Sequence, residues 1–107
     1  MFTRIVELTV KPGKLNELTS IIQDKIIPTL RKQTGFVDEI TLRPDMDTNK
    51  LLAISFWNTR EDAERYHKTE FPRIQDMIQN LQDGHPVLKL YTVENSTAHK
   101  LAAGKAA

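Results

Sequence analysis

Seven consecutive residues, Leu51-Leu52-Ala53-Ile54-Ser55-Phe56-Trp57, constrain this chain more than any other stretch. Read as a strand, the run is apolar on both faces: Leu51, Ala53 and Trp57 point one way, and Leu52, Ile54 and Phe56 the other. A strand with two apolar faces is buried on both sides. A chain of 107 residues makes one small domain of few layers. Helices then cover one face, and a second copy of the chain is the expected cover for the other.

Around this run the periodicities predict six elements. Phe2 to Val10 alternate as a strand, with Phe2, Val6, Leu8 and Val10 on one face and Arg4 among them. Lys11-Pro12-Gly13-Lys14 is a turn. Leu15, Leu18, Ile22, Ile26 and Leu30 recur at helical spacing, and Pro28 predicts a bend or local break. Gly35 is placed to end that helix. Phe36 to Arg43 forms a second strand, with Phe36, Ile40 and Leu42 assigned to one face and Val37, Glu39 and Thr41 to the other. The short turn Pro44–Asn49 makes it the hairpin partner of the apolar strand. Thr59 caps a second long helix whose inward stripe is read as Ala63, His67, Phe71, Ile74, Ile78 and Leu81, widened by Tyr66 and Met77 and split by Pro72 near Glu70. Val87 to Glu94 is the fourth strand. Residues 1–95 form the domain, and 96–107 are expected to be a flexible tail.

The order strand, helix, strand, strand, helix, strand gives an α+β fold. It is a ferredoxin-like βαββαβ subunit, a four-stranded antiparallel sheet with both helices on one face.

The net charge is +1 with both signs interspersed, so neither nucleic acid nor an anionic membrane is an expected partner. No cysteine is present, which removes thiolate catalysis and cysteine-based zinc sites and fits a cytoplasmic location. His67, His85 and His99 lack metal-ligand spacing, so no metal is expected. Glu61, Asp62 and Glu64 crowd the first turn of a helix, where the dipole accounts for them. Arg4 and Glu7 fall on opposite faces of the first strand. Whichever faces the helices needs a partner, as a pocket group or an interface pair.

Three local stretches resemble one family: Val10-Lys11-Pro12-Gly13-Lys14, Thr34-Gly35-Phe36, and Phe56-Trp57-Asn58-Thr59-Arg60-Glu61-Asp62-Ala63. Over roughly Phe2 to Asn95 the chain is similar to the antibiotic-biosynthesis monooxygenase (ABM) family of dimeric α/β-barrel proteins. The resemblance implies a homodimer whose sheets close into a barrel, with a pocket between sheet and helices in each subunit. It also implies a choice between cofactor-free oxygenation of quinol-type aromatics and oxidative haem breakdown. The haem-degrading branch uses an asparagine on strand one, then a tryptophan and a later histidine on helix two. Strand one here has no asparagine, Tyr66 stands near the tryptophan position, and Gln75 and Asp76 lie where the histidine would fall. That departure argues against haem and leaves dioxygen as co-substrate with no cofactor.

On this reading His67 is the candidate base and Tyr66 the group that orients a substrate oxygen, while Trp57, Phe56 and Phe71 line the substrate pocket. Each has a plainer role open to it. Trp57 serves equally as a core residue pinning strand three to helix two. His67 serves as a helix-edge histidine, and Tyr66 as helix-stripe core. The expected function is a cofactor-independent monooxygenase acting on a small aromatic or quinol-like molecule. The alternative is a non-catalytic dimer that binds a small apolar ligand or only assembles with itself.

Overall fold

The structure is a computed structural model and describes residues 1–47 and 49–99. Its elements are β1 (Phe2–Thr9), α1 (Leu15–Ile21), a π turn (Ile22–Ile26), α2 (Ile27–Arg31), β2 (Phe36–Leu42), β3 (Lys50–Trp57), α3 (Arg60–Thr69), α4 (Phe71–Ile78), a 3-10 turn (Gln79–Leu81) and β4 (Val87–Thr92). The sheet order is β2-β3-β1-β4 with every pairing antiparallel. The ferredoxin-like βαββαβ fold expected from the sequence is the one observed. The apolar run occupies β3, a central strand, as its two apolar faces require.

The first helical stretch meets Pro28 in an instructive way. Its buried residues Leu18, Ile22, Ile26 and Leu30 repeat every four positions. At about 100° per residue such a stripe would drift around an α-helix by about 40° per step. The wider turn at Ile22–Ile26 absorbs much of that drift and keeps the stripe facing the sheet. Pro28 then falls in the first turn of α2, where a missing amide costs little. In the second helical stretch Pro72 likewise falls in the first turn of α4, two residues after the break at Glu70.

The hand-overs between elements are fixed by local chemistry. The Thr59 hydroxyl accepts the Asp62 amide at 3.1 Å and caps α3. Gly35 has φ +81°, a left-handed conformation that favours glycine, and a Cβ there would overlap the Asp62 side chain. Its carbonyl accepts the Asn58 amide at 2.8 Å, tying the start of β2 to the end of β3.

One expectation about faces is corrected. Phe36 pairs with Trp57, but Asp38, not Val37, pairs with Phe56, so Val37 is the extra residue of a β-bulge. The bulge shifts the alternation by one residue. Phe36, Glu39 and Thr41 share the helix-facing side, and Asp38, Ile40 and Leu42 lie on the other. The helix-facing layer buries Phe2, Arg4, Val6 and Leu8 of β1 and Leu51, Ser55 and Trp57 of β3 beneath Leu18, Ile22, Tyr66, Ile74 and Ile78. The opposite face of the sheet is uncovered by helices, and Ile40, Leu42, Val87 and Tyr91 are exposed there at 42–49%.

Residues 96–99 form a turn in which the Ser96 hydroxyl accepts the Ala98 and His99 amides. His99 lies against Phe56, ring centroids 5.1 Å apart, and its Nε2 is 3.3 Å from Asp38. From residue 100 onward the expected tail lies outside the described residues. No helix among those described is long and apolar enough to cross a membrane.

Candidate functional site

Position 4 of β1 would ordinarily carry an apolar side chain, because its neighbours on that face are Phe2, Val6 and Leu8. Arg4 stands there instead and is only 3% exposed. Burying a cation is costly unless it is paired. Among the described residues no carboxylate lies within ion-pair distance of Arg4. Its guanidinium carbon sits 4.9 Å from the Tyr66 ring centroid and 4.7 Å from that of Phe71. These two ring faces take the place of a counter-ion. One terminal nitrogen donates to His67 Nδ1 at 3.2 Å. The Nε–H is buried without a partner. Burial lowers the Arg4 pKa, with Tyr66 opposing the fall.

Arg4 stands on the wall of an interior cavity of about 50 Å³ between the sheet and the helices. Most of the lining is aliphatic, from Val6, Leu8, Ile22, Ile26, Leu30, Ile74 and Ile78, while Arg4, Glu39, Ser55 and Tyr66 make up its polar part. Burial pushes the Tyr66 phenol up to about 12, partly opposed by Arg4. It therefore stays protonated at neutral pH. Burial also raises the Glu39 carboxyl above the usual range. The Thr41 hydroxyl, donating to both carboxylate oxygens at 3.2 and 3.0 Å, works against that rise. Glu39 reaches this face only because of the bulge at Val37. Without a bulge the alternation places it with Val37 and away from Phe36, which hid it from a reading of periodicity alone.

A second, open groove of about 360 Å³ lies between α3 and the edge strand β4. Phe2, Leu88, Leu90 and Ala63 form its apolar walls, with Glu64, His67 and Lys68 along the α3 side. Among the described residues, Arg4 alone lines both the groove and the interior cavity.

The residues singled out in the sequence are distributed as follows. Tyr66 and Phe71 line the interior cavity. Trp57 is fully buried but does not line it. Its ring lies 5.0 Å from Tyr66, and its indole N–H donates to Ser55 Oγ at 2.9 Å. Phe56 is corrected outright as a wall of the same pocket. It follows Trp57's alternation onto the other face of the sheet, beside His99. His67 is exposed at the helix edge and not on the inward stripe. The break at Glu70 resets the helical phase, so Ala63 and Tyr66 turn inward in α3 and Ile74 and Ile78 in α4. The His67 ring stacks on Phe71 at 5.4 Å. A guanidinium can only donate, so Nδ1 is the acceptor and the proton of the neutral ring is on Nε2. Desolvation, then Arg4, lowers the His67 pKa. Glu7 points away from the helices and meets Lys50 Nζ at 3.3 Å. Among the described residues no group of three or more His, Asp or Glu side chains could hold a metal ion.

Against known proteins, the model of the antibiotic biosynthesis monooxygenase family matches residues 1–79. The chain belongs to that family. Several solved structures share its fold. SnoaB, a cofactor-independent oxygenase from Streptomyces nogalater, superposes with a TM-score of 0.76 at 20% identity, covering 92% of this chain and 97% of SnoaB. A conserved protein from Methanosarcina mazei Go1 gives 0.71 at 20% identity over 85% and 91% of the two chains. Rv0793 from Mycobacterium tuberculosis gives 0.72 at 11% identity over 90% and 97%. At these identities the likeness is one of fold. No curated protein sequence matches the chain. The ABM match ends within the 3-10 turn, so β4 and the groove wall it supplies lie beyond it.

Proposed function

We propose that this ABM protein is a cofactor-independent monooxygenase that converts a small aromatic, quinol-like molecule with dioxygen. The observation that carries the reading is Arg4, a buried cation without a carboxylate partner among the described residues, on the wall of an interior cavity that also presents Glu39 and Tyr66. A core built only for stability would place an aliphatic residue there. Membership of the ABM family supports the same chemistry. SnoaB, of like fold, is described as working without a cofactor.

In the proposed reaction Glu39, whose carboxyl is held above its ordinary range, takes a proton from an activated C–H or O–H of the substrate. Arg4 and the Tyr66 hydroxyl stabilise the resulting anion. The anion reduces dioxygen and the two combine as a hydroperoxide. Loss of water leaves a carbonyl where a CH2 stood. One oxygen atom remains in the product and the other leaves as water, so the substrate supplies all the electrons and no external reductant is needed. The base role expected of His67 passes to Glu39, because the free lone pair of His67 is already engaged by Arg4 and the ring lies outside the cavity.

We also propose a homodimer that joins the uncovered sheet faces, supported by the exposed Ile40, Leu42, Val87 and Tyr91. The reaction is tested by oxygen uptake with anthrone, whose CH2 becomes a carbonyl. Wild-type protein should accelerate uptake well above spontaneous oxidation, and Glu39→Gln should lose roughly a hundredfold or more, the usual worth of a positioned base. A rate equal to the protein-free control would refute the proposal.

A further inference from the structure

Glu39 stands at a boundary. It lines the interior cavity with Arg4 and Tyr66, and it also lines an open groove of about 580 Å³ between the first helical stretch and β2, with Thr19, Gln23, Thr41 and Arg43. A glutamate side chain has several torsions to fix, so a carboxyl in this position has room to swing out of the cavity. Outside it would meet cations: Arg43 in this groove, and Arg31 in a neighbouring one that Glu39 also lines. Among the described residues the carboxylate has a single hydrogen-bonding partner instead, the Thr41 hydroxyl, 3.2 and 3.0 Å from its two oxygens. The two side chains share one face of β2, two positions apart. A β-branched side chain is stiff at χ1, which makes the hydroxyl a fixed point. Thr41 lines the groove and not the cavity, whereas Ala53, opposite it on β3, lines the cavity. The hydroxyl thus reaches the carboxylate from the groove. The other titratable and charged groups around Glu39 are Asp38 on its own strand, Arg43 just past the strand's end, Arg31 on α2, Arg4 on β1 and Tyr66 on α3. Burial raises the proton affinity of the carboxyl, the Thr41 hydroxyl opposes the rise, and the Asp38 charge adds to it.

We propose that Thr41 is the positioning residue of the base: its hydroxyl holds the Glu39 carboxylate at the cavity wall, ready to accept the substrate's proton. A carboxyl is a base only while it is ionised, and a hydrogen bond to the charged form keeps it ionised to lower pH. Thr41 itself lies off the cavity, so it acts through Glu39 alone. The bulge at Val37 turns both residues to the helix-facing side together, so one irregularity delivers the base and the group that holds it. The inference rests on the monooxygenase reading for what the base does, while the coupling of Thr41 to Glu39 is measurable without any reaction.

The test follows the pH dependence of kcat/KM for anthrone and, separately, the Glu39 carboxyl by carbon-13 NMR titration of protein labelled at glutamate. The resonance is identified by its loss in Glu39→Gln. Thr41→Val keeps the branched shape and removes the hydroxyl, and in it the acid limb of the profile should move to higher pH. On that limb kcat/KM should fall roughly tenfold, the worth of one hydrogen bond to a charged group, and on the alkaline plateau much less. The Glu39 carboxyl should titrate at higher pH in the same variant, and Thr41→Ser should restore both readouts. A threonine that only filled space would give a loss independent of pH, mended by valine and not by serine. A Thr41→Val variant whose carboxyl titrates as in wild type, or a Thr41→Ser variant no better than Thr41→Val, would overturn the proposal. A displaced titration in a protein that does not oxidise anthrone would leave the Thr41–Glu39 coupling standing and remove the oxygenase. Anthrone oxidation whose acid limb ignores Thr41→Val would do the reverse.

Discussion

Arg4, His67 and Glu39 differ in how far their roles could be read before the fold was known. Arg4 was conspicuous, a charge among apolar neighbours on one strand face, and only its side of the sheet remained to be determined. Glu39 was invisible, because a single bulged residue, Val37, decides which way it faces and nothing in the local composition marks the bulge. Tyr66 was legible as a widening of the helix stripe, whereas His67 was assigned to that stripe and lies outside it. A continuous stripe through Ala63, His67 and Phe71 assumes one unbroken helix, whereas the break at Glu70 leaves the inward face of α3 to Ala63 and Tyr66. The position of His67 beside Arg4 has a consequence for pH. Its pKa is lowered in the folded protein, by desolvation first and by Arg4 second. The unfolded chain therefore binds this proton more readily than the folded one. The contribution of His67 to stability is intact above the ordinary imidazole value of about 6.5 and falls as pH drops below it. His67→Gln should accordingly show a smaller loss of melting temperature on acidification through that window than wild type. Parallel melting profiles for the two proteins across it would contradict the placement of Nδ1 against Arg4.

At the level of elements, the strands were legible to within a residue or two, and so were both proline positions. Alternation in β1 and β3 reports burial directly, and Pro28 and Pro72 must interrupt a hydrogen-bond ladder wherever they fall. The form of the interruption was not legible. Pro72 restarts a helix after a one-residue gap, while Pro28 follows a π turn, and the difference lies in what each stretch packs against. Leu18, Ile22, Ile26 and Leu30 must all meet the sheet, so a widened turn keeps the stripe in phase there. No such stripe spans Glu70, and the chain changes direction instead. The π turn also supplies Ile22 and Ile26 to the cavity wall, which ties the shape of the candidate site to that irregularity.

For the whole molecule, the two apolar faces of β3 set the architecture. One is buried under the helices with Trp57 at its end, and the other lies on the uncovered sheet face with Phe56, Ile54 and Leu52. A sheet face of this kind is stable in water when a second copy covers it. Light scattering on the eluting protein is expected to give twice the chain mass. Ile40→Glu combined with Leu42→Lys should give the chain mass with little loss of monomer stability, since both positions are exposed in the single subunit. A wild-type protein that elutes at the mass of one chain would contradict the dimer. The central claim is that Arg4, Glu39 and Tyr66 promote the oxygenation of a bound aromatic by dioxygen, and isotopic labelling tests it most directly. Anthrone incubated with the protein under 18O-labelled dioxygen should yield a product that carries one labelled oxygen atom, with the second recovered in water. A product whose new oxygen comes from solvent, or the absence of any protein-dependent product, would contradict the account.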